Sequence, residues 1–184
     1  MRCFVSIEFP EHLRSEIFHA FEKVNNPKIC TGNFVEKENL HLTLTFLGDV
    51  SEEELGKAKK ILGKIDFQKF SIETGEVGFF PDENFIKIIW VGIHSPEIIN
   101  LRNEIEETLK KEGFDFKEVD FVPHLTVARI KNIKDKKLFM DEVNKIKPGK
   151  MFFIAEDFSL MKSILKKSGP EYKTLERFGM RIRR

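Results

Sequence analysis

Apolar and polar positions change period several times along this chain, and each change marks an element. Phe4 to Phe9 is a short apolar run and reads as a strand. From Pro10 to Val24 the apolar residues Leu13, Ile17, Phe18 and Phe21 recur at helical spacing, with Pro10 suited to a helix start and Asn25-Asn26-Pro27 to its end. Lys28 to Asn39 reads as a loop holding a short strand around Phe34-Val35. Leu40 to Leu47 is a strand that stops at Gly48-Asp49. Ser51 with Glu54 three residues later is a capping box, opening a helix to about Lys64 with Leu55, Ala58, Ile61 and Leu62 inward. Phe67 to Phe79 is extended, Phe80 to Asn84 a turn, and Phe85 to Ile93 a strand. Ser95-Pro96-Glu97 starts a helix that runs to Lys111 and ends at Gly113. Phe121 to Ile130 is a strand, Ile133 to Ile146 a helix closed by Lys147-Pro148-Gly149, and Met151 to Ser163 and Tyr172 to Phe178 the last strands, joined by Lys166 to Pro170.

Two of these strands carry the same tripeptide at their start: His41-Leu42-Thr43-Leu44 and His124-Leu125-Thr126-Val127. Successive strand side chains point to opposite faces. Histidine and threonine therefore share one face of each strand, and the apolar residues take the other. The neighbourhoods match as well. Each half reads strand, proline, helix, loop, His-Leu-Thr strand, helix, strand, with one strand added in the second. This is a duplication, too long in period and too few in copies for a solenoid. It predicts an α+β fold of two pseudo-symmetric lobes, roughly 1–80 and 85–178, within one bilobal domain spanning 1–184, with strands open to exchange between lobes. Each lobe buries one sheet face under helices, and the other faces line a groove in which the two His-Thr pairs confront each other.

Composition narrows the setting. The chain has 184 residues and a formal net charge of +1, so a polyanion partner needs a local basic patch, not a global field. Two cysteines without a CxxC spacing, Cys3 and Cys30, give neither a disulfide framework nor a zinc site and read as buried hydrophobes. No run approaches membrane-span length and no leader pattern opens the chain, so a soluble cytoplasmic protein is expected.

A pair of imidazoles suits proton transfer near neutral pH, one taking a proton as the other gives one. In-line displacement at phosphorus needs that arrangement, and threonine hydroxyls beside each ring can hold non-bridging oxygens. Walker, dinucleotide and HExxH motifs do not occur, and no carboxylate sits one or two positions from either histidine, so no metal or cofactor is expected. The residues leave open which histidine is acid and which is base. Thr45 shares the His41 face in a regular strand and reads as filler. Arg129, three positions beyond Thr126, falls on the far face of its strand unless a bulge intervenes.

These motifs resemble the signature of the 2H phosphoesterase superfamily. Arg2 to Ile7, Glu38 to Gly48, Phe121 to Thr126 and Gly169-Pro170-Glu171-Tyr172 followed by Leu175 are similar to RNA 2′,3′-cyclic phosphodiesterases, also called 2′-5′ RNA ligases. The resemblance implies metal-free hydrolysis of an RNA 2′,3′-cyclic phosphate end to a 2′-phosphate; the expected partner is RNA with such an end, tRNA fragments included, and the expected state a monomer. It makes His41 the general acid, His124 the general base, and Thr43 and Thr126 the phosphate-binding residues. Arg129 becomes a phosphate or RNA contact. The aromatic contact that the family supplies with a tryptophan before the first motif would fall to Phe34. Two other readings use the same residues: 2′-5′ ligation of a cyclic-phosphate end to a 5′-hydroxyl, and a non-catalytic RNA-binding module with Lys134 to Lys137 tracking the backbone.

Overall fold

The structure is a computed structural model and describes residues 1–116, 120–147, 149–166 and 169–182. The predicted Lys147-Pro148-Gly149 closure, the Lys166–Pro170 linker and the basic end at Arg183-Arg184 fall partly outside the described residues. The elements run β1 (Arg2–Glu8), α1 (Glu11–Ala20), β2 (Cys30–Phe34), β3 (His41–Asp49), α2 (Glu52–Leu62), β4 (Phe70–Pro81), β5 (Ile86–His94), α3 (Pro96–Lys111), β6 (His124–Ile133), α4 (Lys136–Lys145), β7 (Phe152–Ala155), β8 (Asp157–Lys166) and β9 (Gly169–Gly179).

The capping box at Ser51 forms in both directions: the Glu54 amide donates to Ser51 Oγ at 3.1 Å, and the Ser51 amide donates to Glu54 Oε2 at 2.7 Å. Several boundaries differ from expectation, three of them because of strand pairing. β6 runs on to Ile133, because Ile133 pairs with Cys30 of β2, so α4 starts only after Asp135 caps Leu138. β4 continues into the predicted turn as far as Pro81, opposite Ile86. The single predicted strand from Met151 divides at Glu156 into β7, which pairs with β4, and β8, which pairs with β1.

The described strands form one antiparallel sheet in the order β7-β4-β5-β6-β3-β1-β8-β9, with β2 also on β6. The two motif strands are its centre, joined where Leu42 faces Leu125. Around that join the order is symmetric: β3 with β6, β1 with β5, β8 with β4. The strand that ends each copy of the duplication, β4 or β8, lies against the first strand of the other copy. The sheet curls strongly, since the Phe9 ring after β1 packs 4.8 Å from Phe153 of β7 at the far edge. Its convex face buries Val5, Ile7, Leu42, Leu44, Ile89, Val91, Leu125 and Val127 against the apolar sides of the helices, which contribute Ile17, Leu62, Leu101, Ile105 and Phe139. The concave face is left for chemistry.

Candidate active site

His41 and Thr43 are half-buried on the concave face of β3, and His124 and Thr126 occupy the matching places on β6. Alternation along each strand puts Leu42 and Leu125, both fully buried, on the opposite face. Because the strands are antiparallel about the Leu42–Leu125 pair, His41 lies toward Thr126 and Thr43 toward His124. The four side chains form a square with the imidazoles at one pair of diagonal corners and the hydroxyls at the other. Diagonal neighbours on paired strands are roughly 7–8 Å apart, room for one phosphoryl group.

Both rings are pinned in the same way. His41 Nδ1 lies 2.6 Å from the Asn39 carbonyl and His124 Nδ1 lies 2.7 Å from the Val122 carbonyl. A carbonyl only accepts, so each Nδ1 carries the proton and each Nε2 is the titrating atom. His41 Nε2 is 3.0 Å from Thr43 Oγ1. Aromatic rings flank each imidazole: Phe4 and Tyr172 at 5.0 Å from His41, Phe80 at 5.0 Å and Trp90 at 6.1 Å from His124. Tyr172 comes from the start of β9, and Asn39, which holds His41 through its carbonyl, also donates from its side chain to the Pro170 carbonyl at 3.1 Å. The Gly-Pro-Glu-Tyr segment therefore closes over His41.

Burial lowers both imidazole pKa values below the ordinary range, because the charged form loses hydration. For His41 the Asn39 carbonyl and the Glu8 carboxylate oppose that fall, whereas Arg129 and His124 add to it. For His124 the Val122 carbonyl opposes the fall and Arg129 adds to it.

Arg129 reaches the groove because β6 has a bulge. Trp90 pairs with Thr126 and Ile89 with Ala128, so Val127 is the extra residue and Val127 and Ala128 are both buried. Alternation then resumes one step late and returns Arg129 to the concave face, where its charge acts on His41, His124 and Tyr172. β3 has the same irregularity: Ser6 pairs with Thr43 and Val5 with Thr45, with Leu44 extra. That bulge turns Thr45 inward, where its hydroxyl donates to buried Glu106 on α3 at 2.7 Å. Thr45 is thus neither groove residue nor filler but half of a buried polar pair.

Phe34 takes the opposite face of the sheet from the two histidines. It pairs with Ala128, whose side chain is on the core face, and so packs with Phe18, Phe21, Leu40 and Val127 beneath α1 instead of entering the groove. Exposed Phe46, beyond the β3 bulge and 6.0 Å from Phe4, is the aromatic ring that the sequence reading missed. Its signal was the same motif spacing that led to Arg129.

Comparisons with known proteins give the family and the fold. A LigT-like phosphoesterase family model matches the chain twice, over residues 7–90 and 91–172. An RNA 2′,3′-cyclic phosphodiesterase of Methanocaldococcus jannaschii is 38% identical over 96% of this chain and 99% of its own, and one of Archaeoglobus fulgidus is 36% identical over 97% and 99%. A crystal structure of a Thermus thermophilus protein superposes with a TM-score of 0.82 at 26% identity over the whole of both chains. That of Escherichia coli LigT in its apo form gives 0.77 at 24%, covering 97% of this chain and 96% of that one, and shows the shared fold. With both copies of the duplication matched and the two motif strands side by side at the centre of one sheet, the chain belongs to the LigT-like phosphoesterase family.

Proposed function

We propose that this protein hydrolyses the 2′,3′-cyclic phosphate end of RNA to a 2′-phosphate by proton transfer between two histidines. One observation carries the reading: His41 and His124 stand at diagonal corners of a His-Thr square with both Nδ1 atoms committed to backbone carbonyls. With phosphorus at the centre, His124 Nε2 takes a proton from water as the water oxygen attacks. The P–O3′ bond opposite breaks, and His41 Nε2–H gives its proton to the departing O3′, leaving a free 3′-hydroxyl and a 2′-phosphate. The hydroxyls of Thr43 and Thr126 and the Arg129 guanidinium hold the non-bridging oxygens, where negative charge accumulates.

The relatives named above are called RNA 2′,3′-cyclic phosphodiesterases, which supports RNA as the substrate. Among cellular RNAs, tRNA fragments with cyclic ends fit. One chain carries both histidines, so a monomer suffices. Among the described residues no helix is long and apolar enough to cross a membrane, and buried free Cys3 and Cys30 suit the reducing cytoplasm.

Single His41→Ala and His124→Ala variants test the reading with a 2′,3′-cyclic nucleotide and a cyclic-ended RNA. Each should lower kcat by roughly a thousandfold or more while RNA affinity stays within about tenfold. Normal turnover in both would end the proposal. Sorting the products by linkage in the presence of a 5′-hydroxyl RNA separates hydrolysis from 2′-5′ ligation, since the same side chains serve a water or an alcohol nucleophile.

A further inference from the structure

The two halves of the square match closely, yet the proposed reaction demands that its two histidines differ, and the difference is found one strand outward. On β1, Glu8 is the register partner of His41. On β5 the corresponding residue, the register partner of His124, is Gly92. Directly opposed residues of an antiparallel pair share a face, so the register partner of His41 brings a carboxylate and that of His124 brings no side chain.

That carboxylate is built in. Glu8 Oε1 accepts from Ser159 Oγ at 3.0 Å and Thr174 Oγ1 at 3.3 Å, and Oε2 accepts from Arg177 Nη2 at 2.8 Å. These donors come from β8 and β9, and Tyr172 of β9 caps the His41 ring. The Glu8 side chain is only 23% exposed, so its charge acts through poorly solvated space. On the other side, Glu76 of β4 reaches over Gly92 but is 68% exposed and engaged by His94 at 3.2 Å. Among the described residues the charged and titratable groups that act on or touch His41 are Glu8, Arg129, His124 and the Tyr172 phenol, and Glu8 is the anion among them. Asp157 and Arg177 lie beyond it and modulate its field.

We propose that Glu8 is the positioning residue that makes His41 the proton donor, by holding a fixed negative charge beside it, and that Gly92 leaves His124 free to act as the base. This rests on the acid and base roles proposed above. The Ser159, Thr174 and Arg177 clamp holds the carboxylate in place; Arg177 at the same time tempers its effect.

The test is the pH dependence of kcat/KM on a 2′,3′-cyclic nucleotide for the wild type, Glu8→Gln and Arg177→Gln. The alkaline limb reports loss of the protonated donor and the acid limb protonation of the base. Glu8→Gln should move the alkaline limb to lower pH and leave the acid limb in place, so that about one pH unit above the optimum its activity falls roughly three- to tenfold further than at the optimum. Arg177→Gln, which unmasks Glu8, should move the same limb to higher pH. An acid limb that moves instead, or limbs that stay put, would overturn the proposal. If Glu8→Gln does not fold, the Arg177→Gln displacement decides alone. His41→Ala and His124→Ala measured alongside separate the two failures: inactive histidine variants with unmoved limbs sink only the role of Glu8, whereas active ones sink the acid–base reading beneath it.

Discussion

Phe46 and Arg129 occupy the same step of the two copies of the motif, each five residues beyond its histidine and each returned to the concave face by a bulge. One copy thus offers the groove an exposed phenyl ring and the other a guanidinium. The ring, 64% exposed and beside the buried Phe4, suits a base of the RNA; the cation suits the phosphate. Phe46→Ala should raise KM for cyclic-ended RNA by about tenfold, which is ~1.4 kcal/mol and within the ~1–3 kcal/mol of one base–aromatic stack, with kcat little changed. Arg129→Gln should lower kcat as well, because in the proposed mechanism its partner is the reacting group. Steady-state kinetics on one substrate compare them directly. A Phe46→Ala variant of unchanged KM and lowered Tm would make Phe46 a cover for Phe4 and nothing more.

Both imidazoles bind protons more weakly in the fold than in the unfolded chain, chiefly because burial disfavours the charged ring. The expected rate profile is a bell displaced to the acid side of free imidazole. The same shift has a consequence for stability. A depressed histidine contributes stability that is present above about pH 6.5, the ordinary imidazole value, and lost as pH falls through the folded-state values, because the unfolded chain then binds more protons. Tm measured across mildly acid pH should fall, and fall less steeply in a His41→Ala, His124→Ala double variant. Equal slopes would show that other groups set the acid sensitivity.

The buried pair behind the β3 bulge is open to denaturation experiments. Glu106 accepts from Thr45 and from Arg102, whose guanidinium Nη2 lies 2.9 Å away, and Arg102 in turn lies 4.4 Å over the Phe121 ring just before the second motif. Glu106→Leu strands the Arg102 charge and should cost about 3–5 kcal/mol in urea unfolding. Thr45→Val should cost about 1–3 kcal/mol, since the buried carboxylate loses one donor but keeps the other. If Thr45→Val proves neutral, the hydroxyl is not what holds this bulge in place.

Gly78 makes room for an indole. A Cβ at this position on β4 would run into the Trp90 ring, which packs 5.1 Å from Phe80 and beside His124. Gly78→Val should therefore tilt Trp90 toward the groove and displace His124, lowering kcat by roughly ten- to a hundredfold. The Trp90 fluorescence of this single-tryptophan chain reads the displacement independently. Unchanged emission together with unchanged kcat would show that β4 yields instead.

The proposed chemistry moves protons between side chains, and among the described residues no cluster of three His, Cys, Asp or Glu gathers in a metal-binding arrangement. Activity should survive excess chelator without loss. A loss restored by a divalent ion would require a different mechanism.

The sequence by itself determined a great deal here. Period changes located most elements, because burial of one face imposes a two- or 3.6-residue rhythm on any chain. The repeated His-Leu-Thr motif identified the duplication and grouped the candidate site residues, because alternation puts the pair on one face without any knowledge of the fold. Three features waited on tertiary structure, and each depends on which strands meet. Pairing with β1 and β5 placed a bulge after each motif, and those bulges turned Thr45 inward and brought Phe46 and Arg129 out. Pairing of β2 with β6 put Phe34 under α1. The curl of the sheet brought β8 and β9 to β1, and with them the clamp on Glu8, from more than a hundred residues away in the chain. A local pattern records which face a residue takes in a regular strand; only the assembled sheet decides where that regularity breaks and which distant charge ends up beside which ring.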